Sequence, residues 1–256
     1  MKPEERQREI LKRLRALQQE LSVDTLSDMF GVTPLTIRRD LSMLQKQGAV
    51  VRTHGGCVSV QRAAFESAYI ERVRNNFSLK QAIGIAAVKE VQSGETILIS
   101  DGSTNYHLAA NLNGFASLTV YTNSIAMVDE LSRNAGIDIH ILGGRYSREL
   151  HSIQGSLTEH ILEMLTFDTV FIGTDGVDTE GRCLVNNPSQ ARITEIMTGR
   201  GRRSILLADH TKVGSEGHVA YGTIEKYDLW ITTGGMDPAI LETFRTMTEV
   251  REVNCE

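Results

Sequence analysis

The pattern of apolar and polar positions in the first fifty residues predicts three short helices. Apolar residues recur at helical spacing in residues 4–17 and again in residues 24–30. Thr33 is a good N-cap and Pro34 suits the first helical position, so a third helix should run over residues 34–47. Two short helices separated by a three-residue turn are typical of a helix-turn-helix.

The third predicted helix has one apolar side and one polar side. Ile37, Leu41 and Leu44 fall at positions i, i+4 and i+7, so they should face the core. The positions left for solvent or a partner are Leu35, Thr36, Arg38, Arg39 and Ser42. Threonine and arginine side chains exposed near the start of this second motif helix are placed to enter a DNA major groove.

Residues 49–56 follow as a short strand and a glycine turn with Arg52 and His54 near its tip, which predicts a wing. Arginine offers paired donors to guanine edges or phosphates, and the threonines Thr33 and Thr36 suit phosphate contacts at a helix N-terminus. The alternative is that the two arginines of the helix form a solvated face with Asp40 as their local partner.

Charge is distributed unevenly along the chain. Residues 1–62 carry eleven Lys or Arg against seven Asp or Glu, whereas the remainder carries sixteen against twenty-five, and the net charge of the whole chain is −5. A modestly basic head on an acidic body fits a local DNA contact better than general binding of polyanions.

After about residue 77 the pattern changes to short apolar runs that alternate with helical stretches. A helix is predicted over 78–91, and strands are predicted over 96–100, 118–122, 137–142, 169–173, 204–208 and 229–232. This alternation predicts βαβ units around a largely parallel sheet covered on both faces, and so an α/β fold class. In such sheets a ligand binds beyond the carboxyl ends of the strands.

Polar and small residues follow these predicted strands directly. One strand leads into a helix through Asp101, Gly102, Ser103, Thr104 and Asn105, which outlines an anion site at a helix N-terminus. That string alone also fits an ordinary helix cap. Other strand ends should converge on the same rim and contribute Asn123, Gly143, Gly144, Asp175, Gly176, Asp209 and Lys212. Small residues, carboxylates and a lysine suit a phosphorylated polyol.

Two groups of motifs carry a resemblance to a known family. TIRRDL at 36–41 is joined to RTHGG at 52–56, and DGSTN, TNS, GTDGV and LADHTK follow in order. These strings resemble the DeoR family of bacterial transcription regulators over about residues 6–235. The family combines a winged helix-turn-helix with a sensor domain similar to ribose-5-phosphate isomerase.

The resemblance implies a role for each matching residue. Contacts to double-stranded operator DNA would come from the recognition helix and wing, that is, from Thr33, Leu35, Thr36, Arg38, Arg39, Arg52 and His54. The phosphate of a phosphorylated sugar would be held by Asp101, Gly102, Ser103, Thr104, Asn105 and Lys212, and the sugar would be lined by Asn123, Asp175 and Gly176. The implied function is a repressor of a carbohydrate-utilisation operon, and not an enzyme.

One departure from the family pattern bears on chemistry. Family sensors often carry one or two glutamates at the start of a helix where this chain has Ser189 and Gln190. Proton transfer at a sugar carbon needs a positioned base, so this absence favours sensing over catalysis. Two alternatives stay open: a sugar-phosphate isomerase-like enzyme with an added DNA-binding head, and a scaffold whose body only oligomerises.

The predicted organisation is a DNA-binding domain over 1–57, a linker over 58–76 and an effector-binding and oligomerisation domain over 77–256. We expect a dimer or tetramer, because regulators of this kind present two heads to related half-sites. A cytoplasmic protein without a membrane partner is expected, since no apolar run approaches the roughly 20 residues of a membrane helix. Neither cofactor nor metal is predicted, because the three cysteines lack CxxC spacing and the seven histidines lack HExxH spacing.

Overall fold

The structure is a computed structural model that describes residues 2–17, 20–47, 49–53, 55–59, 69–215 and 217–255. The chain divides into two compact units, Met1–Ile70 and Glu71–Glu256. Within the predicted linker, residues 58 and 59 end a strand and residues 69–74 form a helix, while 60–68 lie outside the described residues. The exact extent of the linker therefore stays a prediction.

The described part of the N-terminal unit has the predicted helix-turn-helix and wing. In chain order its elements are α1 (Pro3–Leu17), β1 (Leu21–Ser22), α2 (Val23–Phe30), α3 (Pro34–Lys46), β2 (Val50–Arg52) and β3 (Gly56–Ser59). The strands form an antiparallel sheet in the order β1-β3-β2. Apolar side chains from all three helices, among them Ile10, Leu26 and Ile37, are fully buried in one core, which confirms the three predicted helices.

The second glycine of the wing is required by close packing. A Cβ atom at Gly56 would lie only 2.1 Å from the backbone oxygen of Leu21, because β1 and β3 approach each other closely there. Any larger residue at Gly56 would push these strands apart. The glycine of the sequence motif thus fixes the position of β3, and through it the position of β2.

A buried ion pair joins α1 to α3. Arg6 donates from Nε to Oδ2 of Asp40 over 2.5 Å, and both side chains are about 5% exposed. Gln7 donates from Nε2 to the other carboxylate oxygen of Asp40 over 3.0 Å. Asp40 is therefore not the local partner of the exposed arginines that the alternative interpretation assigned to it, because it points into the helix packing.

The elements that follow are α4 (69–74), α5 (Phe77–Val88), β4 (Thr96–Ile99), α6 (Ser103–Asn111), β5 (Leu118–Thr122), α7 (Val128–Leu131), β6 (Ile137–Ile141), β7 (Arg145–Ser147), β8 (Ser152–Gln154) and α8 (Ser156–Glu163). The chain continues through β9 (Phe167–Gly173), β10 (Gly176–Val177), β11 (Arg182–Val185), α9 (Pro188–Thr198), β12 (Gly201–Leu207), β13 (Val219–Thr223), β14 (Leu229–Thr233), α10 (Pro238–Arg245) and β15 (Glu249–Val253). In the described part of the chain, no helix has the length and apolar character needed to cross a membrane.

The main sheet has seven parallel strands in the order β15-β14-β12-β9-β4-β5-β6. Adjacent side chains of β4 enter different cores, because Leu98 packs in one apolar cluster and its neighbours Ile97 and Ile99 pack in another. The sheet is thus covered on both faces, and the predicted α/β class and all six predicted strands are confirmed.

Three features of the sensor unit escaped prediction. The edge strand β15 is rich in charged residues, so it lacks the apolar run that marked the other strands. The hairpin β7-β8 and the antiparallel sheet β10-β11-β13 lie outside the main sheet. Their strands have two to five residues.

We expect Asp40→Asn to destabilise the N-terminal unit by about 3 kcal/mol, because the charge of Arg6 would stay buried without its partner. Urea unfolding of the full chain, followed by circular dichroism, measures the loss. Asp28→Asn is the matched control, since Asp28 is exposed on α2. Equal unfolding midpoints for the two variants would contradict a structural role of the buried pair.

Candidate functional site

The start of α3 is shaped by its cap. Thr33 accepts a hydrogen bond from the backbone N–H of Thr36 at 3.4 Å, and the hydroxyls of these two residues are 3.0 Å apart. Pro34 occupies the first turn, where its missing N–H costs nothing. The predicted cap is confirmed, and it leaves both hydroxyls at the helix N-terminus.

The outer face of α3 carries the positive charge. Ile37, Leu41 and Leu44 are buried. The predicted outward residues of the helix are exposed, except for Thr36, which is half-buried. Leu35 is 57% exposed, and an open concavity is lined by Arg38, Arg39, Ser42, Met43 and Lys46. Three cations along one exposed helix face form a surface that suits a polyanion.

The wing is fastened to α3 by Arg52. Its Nε donates to the backbone oxygen of Gly56 over 3.1 Å, and its Nη1 donates to the backbone oxygen of Arg38 over 3.5 Å. Part of the guanidinium is thus occupied within the unit, and a DNA contact by Arg52 stays a prediction. His54, the second predicted wing residue, lies outside the described residues.

The second candidate site begins where β4 ends. Gly102 has φ +123°, a conformation open to glycine, and it directly precedes α6. No side-chain cap bonds the first turn of α6, so the N–H groups at Ser103, Thr104 and Asn105 are not satisfied by a capping side chain. A helix start of this kind can bind an anion, and the anion site at the DGSTN string stays a prediction.

Two of the predicted effector ligands are turned inward. Asn105 is fully buried, and its amide nitrogen donates to both the backbone oxygen and the hydroxyl of Ser100 at 2.9 Å. Asn123 accepts from the backbone N–H of Asp101 at 2.9 Å and donates to the backbone oxygen of Ile153. Both amides hold the loop between β4 and α6, so their contribution is to position the residues around them.

Two carboxyl groups from different strand ends act on each other. Burial raises the pKa of Asp101, with Ser152 and Asn123 opposing the rise and the charge of Asp175 adding to it. Burial also raises the pKa of Asp175, while the charges of Lys212 and Arg72 lower it. Asp175 therefore lies within electrostatic reach of both Asp101 and Lys212, and all three residues were predicted from the sequence.

Two cations that interact with members of this group were not predicted, Arg72 and Lys80. Arg72 lies in the predicted linker, yet its charge lowers the pKa of both Asp101 and Asp175. Lys80 is only 4% exposed, and burial together with Lys212 and Arg72 lowers its pKa to about 8. A signal for Lys80 was present in the sequence, because it shares one helical stripe with the buried residues Ile83, Gly84 and Ala87.

Gln190 stands where the family often has a glutamate. It lies in the first turn of α9, whose N-cap Asn187 accepts from its backbone N–H at 2.8 Å. The side chain of Gln190 lowers the pKa of Asp175, and Asn186 donates to Asp175 over 3.1 Å. A neutral amide thus faces the carboxyl from this helix. Among the residues that the structure describes, no cluster of histidine, cysteine or carboxylate groups suits a metal ion.

The predicted residues Asp209 and Lys212 lie on a turn whose following chain packs against β10. Lys212 ends a 3-10 turn that begins at His210 and is capped by Asp209. A Cβ atom at Gly176 would lie 2.7 Å from the backbone oxygen of Ser215, so glycine allows β10 to pack against the chain that follows the turn. The cations and carboxyls are therefore gathered from segments that are far apart in sequence.

Comparison with known families gives the same division of the chain. Residues 6–63 match the DeoR-like helix-turn-helix domain, and residues 75–234 match the DeoR C-terminal sensor domain. These matches define a helix-turn-helix transcriptional regulator with a sensor domain. The chain belongs to the DeoR family.

Curated relatives are similar over nearly the whole chain. The HTH-type transcriptional regulator GlpR of Haloferax volcanii is 32% identical, with 93% of this chain and 92% of that protein covered. The transcriptional repressor AccR of Agrobacterium fabrum is 30% identical over 94% of this chain and 93% of its own length. The HTH-type transcriptional repressor GlcR of Bacillus subtilis is 30% identical, covering 83% of this chain and 81% of the relative.

Solved structures show a likeness of fold. Ribose 5-phosphate isomerase A from Methanocaldococcus jannaschii matches 54% of this chain and 55% of its own, with 17% identity and a TM-score of 0.40. The isomerase from Plasmodium falciparum matches 55% of this chain and 54% of its own, with 20% identity and a TM-score of 0.39.

We expect Asp101→Asn to raise the Tm at pH 7 by about 2–4 °C, the change that ~1 kcal/mol produces in a unit of this size. The pKa of Asp101 is raised above its ordinary value of 3.8. The folded protein therefore disfavours the ionised carboxylate of Asp101. Stability is lost as the pH rises from the ordinary pKa of 3.8 through the raised pKa of the folded protein. Thermal unfolding should show a smaller gain at pH 4 than at pH 7. Asp129→Asn, at an exposed position on α7, is the control, and a gain independent of pH would contradict the assignment.

Proposed function

We propose that the protein is a repressor of a carbohydrate-utilisation operon that binds operator DNA through α3 and the wing and is controlled by a phosphorylated sugar. The observation that carries the proposal is the electrostatic interaction of Asp175 with Asp101, Lys212 and Arg72, since Asp101 lies two residues before α6. This site lies in a chain whose other unit exposes two adjacent arginines on a helix-turn-helix.

The exposed face of α3 supports the DNA-binding part of the proposal. Arg38 and Arg39 are held outward by the buried residues on the other side of the helix, so their guanidinium groups are available for bidentate contacts to guanine or phosphate. Thr33 and Thr36 add hydroxyls at the helix N-terminus, and Leu35 adds an apolar contact. Two half-sites call for two such heads, so the proposal includes a dimer or tetramer assembled through residues 77–256.

The charge arrangement in the sensor unit supports a phosphorylated sugar. The N–H groups at the start of α6 and the cations of Lys212 and Arg72 favour a dianion. Asp101 and Asp175, when ionised, repel a phosphate, so we assign them to hydroxyl groups of the sugar. Gly102 lets the chain approach the anion closely, and Ser103 adds a half-exposed hydroxyl.

A sugar-phosphate isomerase with an added DNA-binding head is the second candidate, because Asp101 and Asp175 have raised pKa values and so a tendency to hold protons. Gln190 disfavours it, since an amide does not accept a proton from a sugar carbon. Incubation of the full chain with pentose and hexose phosphates separates the two functions. Turnover would support the enzyme, and binding without turnover would support the sensor.

We expect Arg38→Ala and Arg39→Ala to weaken operator binding by about 1–3 kcal/mol each, while leaving the fold intact. Fluorescence anisotropy with DNA from upstream of its own gene measures the loss. A residue that reads a base will also relax specificity, whereas a phosphate contact will weaken binding to all sequences alike. Arg8→Ala removes an equal charge from an exposed position on α1 and should have little effect. Unchanged affinity in both α3 variants would show that this helix does not bind in the major groove.

We expect Lys212→Ala to weaken binding of the phosphorylated sugar by about 1–3 kcal/mol, the range for a charge-assisted hydrogen bond. Calorimetry with a panel of sugar phosphates measures the change, and the corresponding free sugars should bind poorly. Lys89→Ala, at an exposed position after α5, is the matched control. Operator affinity in the absence of effector should stay unchanged. Free sugar bound as tightly as its phosphate would refute the phosphate site.

A further inference from the structure

Residues 71–76 are the first residues of the sensor unit and follow directly on the DNA-binding unit in the chain. They are fastened to the sensor unit at several points. Lys80 donates from Nζ to the backbone oxygens of Arg72 and Asn75, at 2.5 and 2.7 Å. Arg72 donates from Nη2 to the backbone oxygen of Glu149 at 2.6 Å, and Nε2 of His107 lies 3.1 Å from the backbone oxygen of Val73.

A further contact, made by Asn76 at the end of the segment, reaches the turn that contains Lys212. Asn76 donates from Nδ2 to the hydroxyl oxygen of Thr211 over 3.1 Å. That hydroxyl donates in turn to Asp209, the residue that caps the turn. Asn76 has φ 54°, a left-handed conformation that asparagine tolerates better than most residues. Lys212 and the end of segment 71–76 are thus linked through one hydroxyl group.

The positive charges around residues 71–76 would make a bound anion strengthen the contacts of this segment. Burial and the positive charges of Lys212 and Arg72 lower the pKa of Lys80, so Lys80 is repelled by both of these cations. A dianion among them would relieve the repulsion and attract Arg72 and Lys212 to a common centre. If the anion interacts more favourably with the arrangement in which these contacts hold residues 71–76, its binding shifts the population toward that arrangement.

We propose that residues 71–76 transmit occupancy of the anion site to the DNA-binding unit, with Arg72 sensing the anion and the Asn76–Thr211 hydrogen bond anchoring the segment. The inference rests on the proposed function, since it needs a phosphate at the start of α6. It adds a route by which the bound phosphate strengthens the contacts of residues 71–76, the segment that connects the sensor unit to the DNA-binding unit in the chain.

Amide hydrogen exchange on the full chain tests the inference, with inorganic phosphate as the probe and chloride at equal ionic strength as the reference. Phosphate should slow exchange in residues 101–105, where it binds, and also in residues 71–76. Amides of β15, at the edge of the main sheet, are the internal control for general stabilisation.

Thr211→Val removes the hydroxyl and keeps the shape of the side chain, whereas Thr211→Ser keeps the hydroxyl. The valine variant loses the bonds of the hydroxyl to both Asn76 and Asp209. We expect phosphate to slow residues 101–105 as before, and its effect on residues 71–76 to fall at least about fivefold, the factor for the lost bond to Asn76. The serine variant should behave like the unaltered protein. Asn76→Gly breaks the same bond from the other side and tolerates the left-handed backbone, so it replaces the valine variant if that protein does not fold.

Operator binding gives the second readout. The valine variant should bind DNA as the unaltered protein does without phosphate, and lose most of the phosphate response. Protection of 101–105 without protection of 71–76 would overturn the inference and leave the phosphate site standing. The same protection of 71–76 in the valine and serine variants would also overturn it. Absence of protection at 101–105 would refute the phosphate site, and the inference with it.

Discussion

The parallel arrangement of the seven-stranded sheet is the constraint on which the rest of the sensor unit depends. Parallel strands end at the same edge, so the loops after β4, β5, β9 and β12 are brought together although up to 110 residues separate Asp101 from Thr211 in the sequence. The central strands are buried on both faces by two apolar clusters. This rigid base allows the polar loops at its edge to hold charges that are unfavourable on their own.

The charges at that edge form a coupled system. Asp101 and Asp175 lie in surroundings that favour their neutral forms, and burial, together with the charges of Lys212 and Arg72, lowers the pKa of Lys80 to about 8. Asp101, Asp175 and Lys80 each interact with charged residues from other segments of the chain. Such an arrangement costs stability. Under the proposed function an anion that binds there would change the charge balance, which is the physical requirement for a sensor.

The DNA-binding unit uses a buried polar contact for positioning as well. The pair of Arg6 and Asp40 fixes α1 against α3, and Arg52 fixes the wing against α3 through two backbone oxygens. These contacts orient the exposed face of α3 without occupying Arg38 or Arg39 side chains in the core. The residues that orient the recognition helix are therefore different from the arginines that it exposes.

The sequence by itself determined the features that depend on local periodicity and capping. The stripe of Ile37, Leu41 and Leu44, the cap at Thr33 and the six apolar strands follow from spacing and residue type, because helices and strands bury faces with fixed periods. The order of the loops DGSTN, GTDGV and LADHTK also placed Asp101, Asp175 and Lys212 at strand ends. That much of the site followed once a parallel sheet was predicted.

Only the tertiary structure decided which side chains meet. It turned Asn105 and Asn123 inward, placed Arg72 within electrostatic reach of Asp101 and Asp175, and buried Lys80 within reach of Lys212 and Arg72. It also placed Gln190 beside Asp175. Burial and electrostatic interactions depend on distances through space between residues that are remote in the chain, and no local pattern encodes those distances.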